Sequence, residues 1–254
     1  MKLNVNANEL KDALENLQVK GKYNSRGGLK SGSLEDIFFM SAKDGKINLW
    51  SGNNTFIVNI SLDAEVESSG GYIGKSEGFI SFLKRFDGDV RLEYGDYMVI
   101  KSEGRQASLP RIIEWPQMDA ITRMGERLSE IPYALDPEKL PSFGRANFEG
   151  AFVLTSNQFS DVITSCELVK EGIYKIEFKK DSLVFSSQMS TESKFSQTVE
   201  PAFRTGDPAT LEYSGPLHKF FKKDQLLTFY VLDDAPLVII ADDRRLVKAP
   251  HQGV

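Results

Sequence analysis

Four short stretches of this chain are built on one spacing. Leu10, Ala13, Leu14 and Leu17 fall at i, i+3, i+4 and i+7, as do Phe79, Phe82, Leu83 and Phe86, and again Phe159, Val162, Ile163 and Cys166. Leu217, Phe220 and Phe221 start a fourth copy that Asp224 ends. This spacing gathers the apolar side chains on one stripe of a helix and leaves the other face polar. Each copy lasts only roughly three turns, too little to be stable alone, and each leads into strand-like sequence. Helices this short need a sheet beneath them. The expectation is an α+β, β-rich fold of two similar domains, each with two short helices packed on antiparallel sheet.

The alternating stretches fill in that pattern. Strands are expected at residues 1–6, 37–42, 46–50, 55–62, 90–94, 97–102 and 106–113, with a glycine- and serine-rich basic loop over 20–33. From Pro116 to about Gly150 the periodicity stops. Pro116, Pro132, Pro137 and Pro141 punctuate this stretch, which reads as a connector with a helical turn around 120–128. Strand sequence resumes at 151–155 and recurs at 174–178, 182–187, 194–199, 209–213, 226–232, 236–241 and 245–249. Phe82-Leu83-Lys84-Arg85 matches Phe220-Phe221-Lys222-Lys223 at an offset of 138 residues, and at that offset Val99-Ile100 falls on Leu237-Val238. The expected organisation is a first domain over 1–115, a connector over 116–150 and a second domain over 151–254.

The residue inventory points away from chemistry. The two histidines, His218 and His251, are far apart in sequence, and no His or Cys pair has metal-ligand spacing. The single cysteine, Cys166, lies on an apolar stripe and reads as a core thiol, so no internal disulfide is expected. No nucleophile elbow or dinucleotide fingerprint is present. Arg26-Gly27-Gly28-Leu29-Lys30-Ser31 lacks the order of a phosphate loop, and Asp233-Asp234 and Asp242-Asp243 read as solvated turns. No enzyme activity, cofactor or metal is expected. The N-terminus begins on an alternating strand with no apolar signal core, and no stretch approaches the ~20 apolar residues of a membrane span. The expectation is a soluble, non-secreted protein with no membrane partner.

Charge sits on the helices. The chain carries a formal net charge of −5, so any role with nucleic acid needs its cations segregated on one face. Lys84 and Arg85 on the second helix, and His218, Lys219, Lys222 and Lys223 on the fourth, occupy related places in the two repeats. The first helix adds Lys11 among acidic residues. Such a surface contacts phosphates without reading bases.

Taken together, these features resemble the DNA polymerase sliding clamps, of the type of proliferating cell nuclear antigen and the T-even phage clamp. Residues 76–116, ending Ile112-Ile113-Glu114-Trp115-Pro116, resemble the end of the first domain of the phage clamp. The 37–49 hairpin resembles the one bordering the partner pocket in the nuclear antigen. Pro236-Leu237-Val238 and Leu246-Val247-Lys248-Ala249-Pro250 resemble that clamp's last strands and tail. The basic 20–33 loop, the acidic first helix and the long connector depart from the family.

The resemblance implies a homotrimeric ring around double-stranded DNA. It would tether a DNA polymerase and be opened by a clamp loader, in the cytoplasm or at the nucleoid, or in the host cytoplasm for a virus. DNA would be faced by Lys11, Lys20, Lys22, Arg26, Lys84, Arg85, Lys219, Lys222 and Lys223, with Lys30 joining them from the loop. Ala42, Ile47, Ile121, Met124, Leu128, Pro236, Val247, Ala249 and Pro250 would wall a partner pocket. Ala107, Leu109, Phe195 and Gln197 would lie at the subunit seam. The alternatives are a structural β-rich viral or scaffold protein that encircles no DNA, and an enzyme of unusual β-rich fold.

Overall fold

The computed structural model describes residues 1–17, 36–53, 55–112, 118–169, 173–188 and 193–251, and the side chains of all of these except 118, 120 and 121. The chain divides into two compact units, Met1–Glu126 and Arg127–Val254. The division falls inside the stretch expected as a connector.

In the first unit β1 (Lys2–Asn6) enters α1 (Ala7–Leu17). There follow β2 (Ile37–Lys43), β3 (Lys46–Asn53), β4 (Phe56–Asp63), β5 (Glu65–Ser68) and β6 (Gly70–Lys75). Then come α2 (Ser76–Leu83), β7 (Asp89–Tyr94), β8 (Met98–Ser102) and β9 (Arg105–Leu109). The helix α3 (Met118–Glu130) runs across the division, and β10 (Ser142–Phe143) and β11 (Ala146–Asn147) form a small ribbon. The second unit continues with β12 (Gly150–Thr155), α4 (Ser156–Val169), β13 (Ile173–Phe178), β14 (Leu183–Gln188), β15 (Lys194–Val199), β16 (Phe203–Gly206) and β17 (Ala209–Ser214). A 3-10 turn at Leu217–Phe220 leads to β18 (Leu226–Val231), β19 (Leu237–Ala241) and β20 (Arg244–Lys248).

The repeat is visible in strand order. The first unit has sheets ordered β5-β1-β7-β8-β9 and β4-β3-β2-β6; the second has β16-β12-β18-β19-β20 and β15-β14-β13-β17. Shifting each strand of the first unit by eleven gives the second, sheet for sheet. All the ladders described in the two units are antiparallel. The offset of 138 pointed at this equivalence, since Val99-Ile100 lies on β8 and Leu237-Val238 on β19.

Local chemistry explains the helices. At α1 the Asn6 carboxamide oxygen accepts from the N–H groups of Asn8 (3.1 Å) and Glu9 (3.3 Å), and Leu10, Ala13, Leu14 and Leu17 are buried. At α4 Thr155 and Gln158 form a capping box. The Thr155 hydroxyl accepts from the Gln158 N–H at 3.1 Å, and the Gln158 side-chain oxygen accepts from the Thr155 N–H at 3.0 Å. The first turn of α2 is capped from a distance, by Asp36 accepting from the Glu77 N–H at 3.0 Å.

Two helical expectations are corrected. On α2 the core face is Phe79, Ile80 and Leu83, and Phe82 is 40% exposed. Ile80 takes the place on the stripe that the spacing had assigned to Phe82. The fourth helix is a single 3-10 turn. Gly215 (φ +102°) and Pro216 precede it and Asp224 (φ +60°) follows, leaving too few residues for a longer helix. Its bonds run i to i+3, Lys219 N–H to the Pro216 carbonyl (3.0 Å) and Phe221 N–H to that of His218 (3.3 Å). Leu217, Phe220 and Phe221 are nonetheless buried, so the apolar pattern held while the helix type did not.

Removing one half of the α4 capping box exposes orphan donors at the helix start. Thr155→Ala should cost about 1 kcal/mol, read as a lower urea midpoint at unchanged slope; an unchanged midpoint would mean the cap contributes nothing.

Candidate functional site

Three surfaces follow from this architecture. The first is the water-facing side of the helices. In the first unit α1 lies beside α2, and Lys84 reaches Glu15 at 3.5 Å. The exposed groups there are Lys84 and Arg85 with Glu9, Asp12, Glu15 and Glu77, while Lys11 is half-buried and bridged to Asp12 at 3.3 Å. In the second unit Lys219, Lys222 and Lys223 are exposed beside the 3-10 turn. Lys222 donates to Asp243 at 2.6 Å. Among the described residues these faces are therefore mixed in charge rather than uniformly basic. Exposed ion pairs of this kind are worth roughly 0–1 kcal/mol, so an arriving phosphate can displace a carboxylate from a lysine at small cost.

His218 does not join this face. It is half-buried with its Nδ1 enclosed, and burial together with the Lys219 charge pushes its pKa down to about 4, so it is neutral at pH 7. Lys20, Lys22, Arg26 and Lys30 lie outside the described residues.

The second surface is a pair of sheet edges. β9 ends one sheet of the first unit and β15 ends one sheet of the second. Each leaves one side of its backbone without a ladder partner among the described strands. Ala107 and Leu109 on β9 are only 8% exposed and point into their own unit, so Gln106 and Ser108 are the outward side chains there. On β15 Phe195 is half-exposed and Gln197 exposed.

The third is the set of residues expected to wall a partner pocket, which the structure places in both units. Ala42, Ile47, Leu128 and Val247 are 0–3% exposed and offer no open wall to a ligand. Met124, Pro236, Ala249 and Pro250 are half-exposed, and the Ile121 side chain lies outside the described ones.

A groove that the sequence did not reveal lies in the first unit, with a volume of about 390 Å³, lined by Phe39, Trp50, Ile73, Arg111, Thr122 and Glu126 among others. Its floor is the stack of Phe39 on Trp50, with ring centroids 6.0 Å apart and planes within 5°. α3 can sit this close because residue 125 is glycine: a Cβ there would be 2.5 Å from the indole. Trp50 is buried, and its N–H has no hydrogen-bond partner among the described residues. Arg111 on the rim donates to the Tyr94 hydroxyl at 3.2 Å. The pattern of Phe39 and Trp50 on neighbouring strands was legible as strand sequence, but their cross-strand meeting beneath a helix needs the register Phe39↔Trp50.

Among the described residues no group of three or more His, Cys, Asp or Glu is placed to hold a metal ion, and no helix is long and apolar enough to cross a membrane.

This arrangement, with its two equivalent helix-and-sheet units, is the sliding-clamp fold. PCNA of A. fulgidus, solved with the C-terminal region of FEN-1 bound, superposes with a TM-score of 0.70 at 10% identity, over 100% of this chain and 99% of that one. The Helicobacter pylori beta clamp bound to a DNA ligase peptide gives 0.69 at 13% identity, covering 100% and 67%. The DNA polymerase III beta subunit of Thermotoga maritima gives 0.75 at 11%, covering 100% and 66%. The chain thus spans the archaeal clamp and about two thirds of the bacterial ones. No protein-family model matches the sequence, and no curated protein matches it.

The Lys222–Asp243 pair makes a pH-dependent prediction. Burial alone would raise the Asp243 pKa; hydrogen bonds from Lys222 and Gln225 and the Arg244 charge outweigh it and hold the carboxyl below its usual 3.8. A depressed carboxylate stabilises the fold above its unfolded pKa, and that stability is lost as pH falls through the folded value. Lys222→Ala should therefore lower the thermal midpoint at pH 7, and lower it by less at acidic pH, as Asp243 becomes protonated. Equal losses at both pH values would show that the pair is not the source.

Proposed function

We propose that this chain is a DNA sliding clamp, a non-enzymatic processivity factor whose three copies close into a ring around duplex DNA. The observation that carries the reading is the clamp fold over the whole chain, with β9 and β15 left as edge strands at opposite ends of the sequence repeat. Pairing β9 of one copy with β15 of the next is a head-to-tail contact, which closes when its rotation divides a full turn. Ala107 and Leu109 would back this seam from inside, while Ser108, Phe195 and Gln197 meet across it.

Sliding needs contacts that are weak and indifferent to sequence. Lys84, Arg85, Lys219, Lys222 and Lys223 meet that need, because each would reach phosphate on a flexible stem, Lys84 and Lys222 exchanging it for the carboxylates of Glu15 and Asp243. The net charge of −5 disfavours DNA elsewhere on the surface and so favours threading. The polymerase and other DNA-processing partners would dock by short peptides. The apolar groove floored by Phe39 and Trp50 suits an aromatic or aliphatic anchor. A clamp loader would open the ring where DNA is replicated.

Light scattering after size exclusion should give three times the 28.5 kDa of one chain, and the protein should lengthen the products of its polymerase on primed circles. Ser108→Pro removes a ladder donor or bends the edge and should return the mass to that of one chain. A monomeric wild type, or closed assemblies that never stimulate the polymerase, would favour the scaffold alternative.

Filling the groove at its half-exposed rim tests the docking site without disturbing buried residues. Thr122→Arg should weaken binding of the polymerase's clamp-binding peptide at least tenfold in calorimetry, with ring mass unchanged. Unaltered affinity would place the peptide elsewhere.

A further inference from the structure

Arg245 lies on β20 and is 5% exposed. Its Nε donates to the Ile131 carbonyl at 2.8 Å, and its Nη1 donates to the Tyr133 hydroxyl at 2.5 Å. The same guanidinium lies over the Tyr133 ring, with Cζ 3.6 Å from the centroid. These contacts fall on Ile131 and Tyr133, just past the last turn of α3, which is closed by the Ile131 N–H on the Leu128 carbonyl at 3.3 Å. Here a cation on the last strand of the second unit grips the point where the connector stops being helix.

The choice of residue is informative. Burial disfavours the Arg245 charge, and a buried ion is often no more stabilising than an apolar side chain of the same volume. Leu246 and Val247 on the same strand are the cheaper solution, while Arg244 beside it is a second buried guanidinium. A guanidinium adds direction: a planar fork that meets two acceptors at fixed angles while its face stacks on an aromatic ring. A lysine in the same place supplies the charge without the fork or the stack.

We propose that Arg245 is a positioning residue that fixes the connector after α3 onto β20, setting the seat of residues 131–133 rather than the stability of the second unit. Leu128 (0% exposed) and Ile131 (3%) are buried beside this contact. The inference does not depend on the ring or on DNA, and it stands or falls separately from the clamp reading.

The test is amide hydrogen exchange on the full-length protein, comparing wild type with Arg245→Met and Arg245→Lys, alongside thermal midpoints. Losing charge-assisted bonds should accelerate exchange over 128–135 by about tenfold or more. β18 and β19 should exchange as in wild type, and the midpoint of Arg245→Met should be unchanged or higher. Arg245→Lys should also loosen 128–135, since it keeps the charge and loses the fork; it carries the test alone if Arg245→Met does not fold. Unchanged exchange over 128–135, or an equal acceleration across the whole second unit with a lower midpoint, would overturn the proposal.

Discussion

In each unit aromatic rings meet where a helix packs onto sheet. In the second unit Phe159 of α4 packs edge-on to Phe229 of β18 (5.0 Å) and tilts toward Phe185 of β14 (6.3 Å), while Phe152 of β12 stacks on Phe229 (4.6 Å) and approaches Phe178 of β13 (5.6 Å). In the first unit Phe79 of α2 meets Phe38 of β2 (5.2 Å) and Tyr72 of β6 (6.0 Å), and Tyr72 turns to Tyr94 of β7 (5.3 Å). Large rings span the gap between sheets that no small side chain would fill, and such pairs add about 0.5–1.5 kcal/mol each beyond burial. The burial of the helix stripes, and with it the orientation of the exposed helix faces, depends on this meeting of helix and sheet.

Much of this was legible as periodicity. The stripes of α1 and α4 were read residue for residue, because an amphipathic helix over a sheet has no other way to bury its apolar side. Most strands were found within one or two residues. β5, β6, β16 and the two-residue strands β10 and β11 were missed. Glu65-Val66-Glu67-Ser68 is too short and polar to register as alternation, β6 carries Gly70, Gly71 and Gly74, and β16 is four residues ending in glycine. These strands exist because a neighbour supplies a ladder, which is tertiary context and not local propensity. α3 was anticipated only as a turn, since its thirteen residues sit in a proline-punctuated stretch.

The site residues were harder to read, for a different reason. Sequence gives the residue type but not its neighbours. Lys84 and Lys222 were visible as cations; that Glu15 and Asp243 stand beside them depends on packing between segments about 70 and 21 residues apart. Ile47 and Val247 were visible as apolar residues near a hairpin and a tail, and nothing in their spacing says that both are enclosed. The Phe39–Trp50 floor and the Arg245 grip are made by pairs distant in sequence whose chemistry only appears once register is fixed.

The strand order also dictates how such a chain must be made. β1 has as partners β5 and β7, with Leu3 opposite Val66 and Leu92, and β12 repeats this with Phe152 opposite Arg204 and Phe229. The first strand of each repeat therefore lies between two others, and it must wait for partners synthesised tens of residues later. Local helix formation cannot shorten that wait, so closure is governed by long-range pairing and is intrinsically slow. While the ribosome works through each unit, an apolar strand remains unpaired at its head. Emerging chains are most vulnerable to wrong pairing with one another at that stage, which ends in two steps, as β5 and then β7, or β16 and then β18, arrive.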